Sequence, residues 1–180
     1  MYAQQPTSLS TAEKWKNFVD ETVSPITIGG GIFNGGFSHL TQSDPRYGKD
    51  SEAFAQRFAA SVADIATQNF FGDFLLASAL HEDPRYMRRG PQYGGIWSRT
   101  LYAISRAVII SRDAGGTTFN WSNVLGTAMS AGLSNAYYPS LSRTSGAMAI
   151  HWATSVAGGG FANLAPEFWP DFKQKVFKRH

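Results

Sequence analysis

The chain has no cysteine. That excludes a disulfide framework, a thiolate nucleophile and thiolate-bound zinc or iron–sulfur clusters. Charge is scarce as well, at 16% of 180 residues, which excludes a disordered polyelectrolyte and a charged coiled coil. Apart from the C-terminal run Lys173, Lys175, Lys178, Arg179, basic residues sit beside acids or at helix-sized intervals, and no nucleic-acid recognition motif occurs, so no nucleic-acid partner is expected. Gly-x-Ser-x-Gly, Walker A, the dinucleotide fingerprint and His-Glu-x-x-His are all missing. Gly29–Gly31 and Gly158–Gly160 lack the lysine or strand context that phosphate binding needs, and no cofactor is expected. The first residues carry neither a basic nor a long apolar leader. Instead, Ala3-Gln4-Gln5-Pro6 reads like residues left behind a small-residue cleavage site, the expectation for an exported protein.

What is present is small and aromatic. Ala 22, Gly 18 and Ser 18 make up about a third of the chain, and the few charges are unevenly placed. Residues 114–166 hold one charge, Arg143, and residues 22–43 hold none. Both stretches exceed the roughly 20 residues that cross a bilayer, but polar residues such as Asn120, Ser130 and His39 interrupt them. Small residues recur every fourth position at Ala55, Ala59, Ala63, at Ala128, Gly132, Ala136 and at Ala149, Ala153, Ala157. Such stripes allow close helix packing. They fit either a dense soluble core or a helical hairpin at a membrane or an oligomer interface. Trp97, Trp121, Tyr137, Tyr138, Trp152 and Trp169 lie near the ends of the uncharged segments as often as inside them, as interfacial aromatics do.

Helical periodicity and caps place helices over 11–23, 51–80, 95–112, 121–138 and 144–164, with a glycine-rich segment 26–40 and a kink or break expected near Asn69–Gly72. Only Arg106–Ser111 and Thr117–Asn120 carry strand character. The expected fold is an all-α, single-domain bundle of about six or seven helices with close-packed small-residue faces. It comprises a flexible segment 1–10 and a helical domain 11–180, which includes a charge-poor hairpin 114–166 and an amphipathic basic tail 167–180.

Asp-Pro-Arg-Tyr occurs twice, at Asp44, Pro45, Arg46, Tyr47 and at Asp83, Pro84, Arg85, Tyr86. Proline disfavours a helical conformation in the residue before it and so ends a helix; the arginine can bond its own aspartate or the orphan carbonyls, and the tyrosine can pack back. Both motifs are expected to act as structural turns. The densest polar cluster is His81, Glu82, Asp83 with Arg85, Arg88 and Arg89. A histidine with carboxylates suits acid–base chemistry or a metal, for which His39 and His151 would be the further ligands, and the arginines suit a phosphate. His81, Glu82, Asp83 and His151 are therefore the catalytic candidates, and Arg85, Arg88, Arg89 and Arg143 the phosphate-binding candidates.

Arg143, His151-Trp152 and Val156-Ala157-Gly158 loosely resemble the last motif of the type 2 phosphatidic-acid phosphatases, but Ser155 stands where that family has its supporting aspartate, and the Pro-Ser-Gly-His element is missing. The runs 81–90, Trp97-Ser98-Arg99-Thr100-x-Tyr102-Ala103, Asn135-Ala136-Tyr137-Tyr138-Pro139 and Glu167-Phe168-Trp169-Pro170-Asp171 resemble a family of uncharacterised exported proteins of soil bacteria. That resemblance implies a cell-envelope setting and brings no activity. The expectation is a non-enzymatic envelope protein in the periplasm or at the outer membrane, partnered by its own copies, another envelope protein or a lipid surface. The alternative is a lipid- or phosphate-ester-binding protein or a degenerate lipid phosphatase.

Overall fold

A computed structural model describes residues 8–177. Residues 1–7 of the expected flexible segment, and Lys178 and Arg179 of the basic tail, lie outside the described residues. The fold is all-α with one small antiparallel sheet. Its helices start where short polar side chains cap free N–H groups. Ser10 and Glu13 form a reciprocal capping box on α1, Thr11–Thr22. Ser24, with Pro25 in the first turn, opens α2, Pro25–Thr41, and Asp50 opens α3, Ser51–Gln68.

The α3 rod does not stop at Gln68. It widens into a π-helical segment, Asn69–Leu76, and tightens again as α4, Ala77–Ala79. A break was expected here; what forms is a wide turn at Gly72 that lets another helix close in. The loop beyond carries β1, Glu82–Asp83, and leads to α5, Ile96–Ser105. The helix expected to run on to Arg112 ends at Ser105. The β-branched run Val108-Ile109-Ile110 favours extended backbone, and Gly115 and Gly116, both at positive φ, close a hairpin between β2, Ile109–Arg112, and β3, Thr117–Phe119. Glu82 pairs with Arg112 and Asp83 with Ser111, giving sheet order β1-β2-β3. Asn120 caps α6, Trp121–Leu133, and Thr144 caps α7, Ser145–Ala162; α8, Leu164–Phe177, follows.

The helices α2, α3 with its π segment, α6 and α7 pack in that order, while α1 lies on the π segment and α5 and α8 pack on α7 and on each other. Packing between the first four is very close. A Cβ added to Gly126 would lie 2.6 Å from the Cα of Gly72, and one added to Gly35 would lie 3.0 Å from the backbone of Phe58. Close-packed small-residue faces therefore exist, but not at the stripes singled out by four-residue spacing. Ala55, Ala59, Ala128, Gly132, Ala136, Ala149, Ala153 and Ala157 are exposed. The packed faces are Gly31, Gly35 and Ser38 on α2, Ala53, Arg57, Ala60 and Asp64 on α3, and Ser122, Gly126, Thr127 and Ser130 on α6. Spacing of four marks a helix face without saying which way the face looks.

The distribution of polarity is reversed from that of an ordinary domain. Of the described apolar side chains that are buried, only Pro45, Ile110 and Tyr138 are larger than alanine. The largest fully buried side chains are Arg57, Lys14, Glu82 and Glu167. Outside, thirty large apolar side chains among the described residues are exposed, spread over every one of the longer helices, with Trp97 at 82% and Ile26 at 73%. Lysine, arginine and glutamate are almost never fully buried unless paired. No helix among the described residues is long and apolar enough to cross a membrane.

Candidate functional site

The interior is organised around carboxylates. At one, Asp64 of α3 receives the hydroxyls of Tyr137 and Tyr138, each at 2.6 Å, and its Oδ2 lies 3.7 Å from Nε2 of His151 on α7. The Tyr138 ring stacks on the imidazole, and the Ser130 hydroxyl donates to the Asp64 carbonyl. Burial pushes the Asp64 carboxyl above its ordinary value, and the imidazole and the two phenols offset only part of that. Burial and the nearby carboxylate raise both tyrosines in turn. The Nδ1 atom of His151 is buried without a hydrogen-bond partner. A carboxylate therefore does face His151, although it comes from another helix. Ser155, where the phosphatases carry their aspartate, accepts from the Gln68 amide instead. Arg143 does not reach the histidine, since its Nε donates to the Tyr138 carbonyl.

At the second centre, the fully buried Glu167 of α8 collects four donors onto its carboxylate: Arg99 Nε at 2.6 Å, the Tyr86 hydroxyl at 2.8 Å, and the backbone N–H groups of Arg89 and Gly90. Burial alone would raise its pKa, but these donors, Arg99 foremost, together hold it below the ordinary glutamate value. Arg99 also donates to the Glu167 carbonyl and to Asp171, and Arg88 pairs with the same two groups. The Arg89 guanidinium lies 4.5 Å over the Tyr102 ring. The three arginines of the segment read as one helix, 95–112, part company: Arg99 turns inward, Arg106 bonds Ser111 and stands over Tyr102, and Arg112 belongs to β2.

The two Asp-Pro-Arg-Tyr turns share an internal design. In each, the arginine pairs with its own aspartate, Arg46 with Asp44 at 3.3 Å and Arg85 with Asp83 at 2.6 Å. In each, the tyrosine hydroxyl reaches a distant segment, Tyr47 to the Tyr137 carbonyl and Tyr86 to Glu167. The first turn is held further by buried Arg57, which donates to the carbonyls of Pro45 and Gly48 and sits 3.1 Å from His39 Nδ1. Ser142 donates to Asp44.

The polar run 81–89 is thus dispersed. Glu82 accepts from the Ser122 N–H at the start of α6, Asp83 holds Arg85, and Arg88 and Arg89 lie towards α8. Among the described residues no three metal-binding side chains converge. His39, His81 and His151 stand in separate surroundings: the first beside Arg57, the last beside Asp64, and His81 at the mouth of a cleft of about 370 Å³ that Leu80, Glu82, Arg112, Thr118 and Trp121 also line. Residues missed by reading the sequence are Lys14, Arg57, Asp64, Arg99 and Glu167. Arg57 and Asp64 lie on the polar face of α3, opposite Phe54, Phe58 and Val62, and Lys14 stands between Glu13 and Lys16 on α1, so nothing local marks any of the three as buried. No family model matches the chain, and comparison with curated proteins and with solved structures gives no match either.

Proposed function

We propose that the protein is a non-enzymatic, membrane-associated structural component of the cell envelope, with lipid acyl chains covering its apolar outer surface. One observation carries the reading: paired charges and hydroxyls fill the interior, while large apolar side chains face outward on all sides. In water this arrangement forgoes the main force that folds proteins. In an apolar surrounding it is favourable, because polar groups must then be satisfied internally and ionisable residues turn to the bundle interior. Lipid is favoured over a single protein partner by the spread of the exposed residues. A dimer interface covers one patch, about 800 Å² on each partner, whereas Phe33 and Phe37 on α2, Leu125 and Met129 on α6, Ile150 on α7 and Trp169 on α8 occupy separate helices. No helix among the described residues is long and apolar enough to cross, and on this proposal the apolar surface lies in the membrane.

Fractionation with and without neutral detergent, read by light scattering, tests this. The expected result is a membrane-bound protein that becomes monodisperse only in detergent. A monodisperse soluble monomer without detergent overturns it, and a defined detergent-free oligomer assigns the surface to copies of the chain instead. Catalysis by His151 finds no support in its geometry, since one ring nitrogen faces Asp64 and the other is buried.

A further inference from the structure

We propose that the cleft between the 80–82 loop, the β2–β3 hairpin and the start of α6 binds the phosphate of an anionic phospholipid, with Leu80 and Trp121 against its acyl chains. The proposal rests on the lipid-covered reading of the outer surface and names one lipid class for one place on it. The cleft joins two chemistries. His81 and Arg112 bring N–H donors to it, Thr118 a hydroxyl, and Leu80 and Trp121, 42% and 50% exposed, an apolar wall continuous with exposed Phe119. Among the described residues Arg112 makes one side-chain hydrogen bond, to Thr118 at 3.2 Å, and His81 makes none.

The acids of the same segment are spent inward. Glu82 is 2% exposed and accepts from Ser122 N–H, Asp83 pairs with Arg85, and Asp113 pairs with buried Lys14 at 2.6 Å. What remains outward is cationic. A planar guanidinium beside a hydroxyl suits a phosphate diester, and a tryptophan at a helix end suits the depth at which headgroup meets chain.

His81 also carries a backbone feature that it shares among the described non-glycine residues with Gln42 alone. Its φ is +55°, in the left-handed region that non-glycine residues rarely enter. Sheet pairing of Glu82 with Arg112 and the Asp113 N–H bond to the His81 carbonyl, at 2.9 Å, hold it there. A conformation of this kind persists only where the surroundings impose it, and such residues cluster at ligand-binding positions. Here it fixes the imidazole beside the strand that carries Arg112.

The test uses the whole protein in neutral detergent and reads its thermal midpoint on adding dioctanoyl phosphatidylglycerol, dioctanoyl phosphatidylcholine or inorganic phosphate. A ligand that binds the folded state raises the midpoint. The expected result is a clear rise with phosphatidylglycerol and a small or null one with the other two. Arg112→Gln and His81→Gln remove the rise, Arg112→Lys recovers part of it, and Lys173→Gln on the exposed side of α8 keeps it. Equal rises with both lipids, or a rise that survives Arg112→Gln, overturn the proposal. An equal rise with inorganic phosphate overturns the lipid assignment and leaves a free-anion site. The midpoint of each variant before ligand reports whether it folds. The detergent requirement of the wild type is a separate reading, so failure of the lipid-covered surface and failure of the cleft are told apart.

Discussion

Helix α6 has two faces that differ more than the two sides of most helices, and in the reverse sense. Its inner face is Ser122, Gly126, Thr127 and Ser130, all buried; its outer face is Trp121, Leu125, Met129 and Leu133, all exposed. In an ordinary amphipathic helix the apolar stripe drives packing. Here the packed side carries no hydrophobic gain beyond a few methyl groups, so close backbone approach and satisfied hydrogen bonds hold the interior together. Polar substitution inside should therefore cost much, and polar substitution outside little.

The largest effect is expected at Glu167→Ala. It leaves the buried Arg99 guanidinium, 4% exposed, without its main partner, at a cost of about 3–5 kcal/mol. Denaturant unfolding in detergent measures it, and a loss below 1 kcal/mol would show that the interior is not held by its ion pairs. Next comes Gly126→Ala, whose added methyl would meet the Gly72 backbone at 2.6 Å. Overpacking of this kind costs about 1–3 kcal/mol. Its counterpart Gly132→Ala meets nothing within 4 Å and should be neutral or gain up to ~1 kcal/mol from helix propensity. If both glycines respond alike, the assignment of inner and outer faces is wrong.

The two carboxylate centres should respond to pH with opposite sign. Glu167 has a lowered folded-state pKa, so its contribution is present above its ordinary value of 4.5 and is lost as pH falls through the folded value. Asp64 has a raised one, so its contribution is present below 3.8 and is lost as pH rises through the folded value. Asp73, raised by burial and by Glu21, acts in the same direction as Asp64. Unfolding midpoints measured as a function of pH should lose their fall below 4.5 in Glu167→Gln and their fall above 3.8 in Asp64→Asn; the reverse assignment would refute the contrast. The smallest thermodynamic effect is expected for Leu125→Ser or Met129→Ser. In detergent stability should barely change, while the fraction extracted without detergent should rise. A loss of 2–5 kcal/mol, as for a core leucine, would mean that this face is packed against protein.

Much of the fold was legible because its signals are local. The cap at Ser10 acts over three residues and the apolar period through 51–80 marks one long rod, but the hairpin after α5 was not legible, because Val108-Ile109-Ile110 also continues a helical period until its sheet partners are in place. The candidate cluster 81–89 was legible as a concentration of charge. Its division was not, because Arg88 and Arg89 find their partners on α8 while Glu82 finds one on α6.

The sequence alone determined where most helices lie and that their faces carry small residues, since those features depend on neighbours a turn away. Only the tertiary structure decided which face looks inward. Arg99 and Glu167 meet across 68 residues, Asp64 and Tyr138 across 74, and a charge at helical spacing reads the same whether water or another helix stands beside it. The reason is physical: periodicity records that two faces differ, and the surrounding medium decides which of the two is buried.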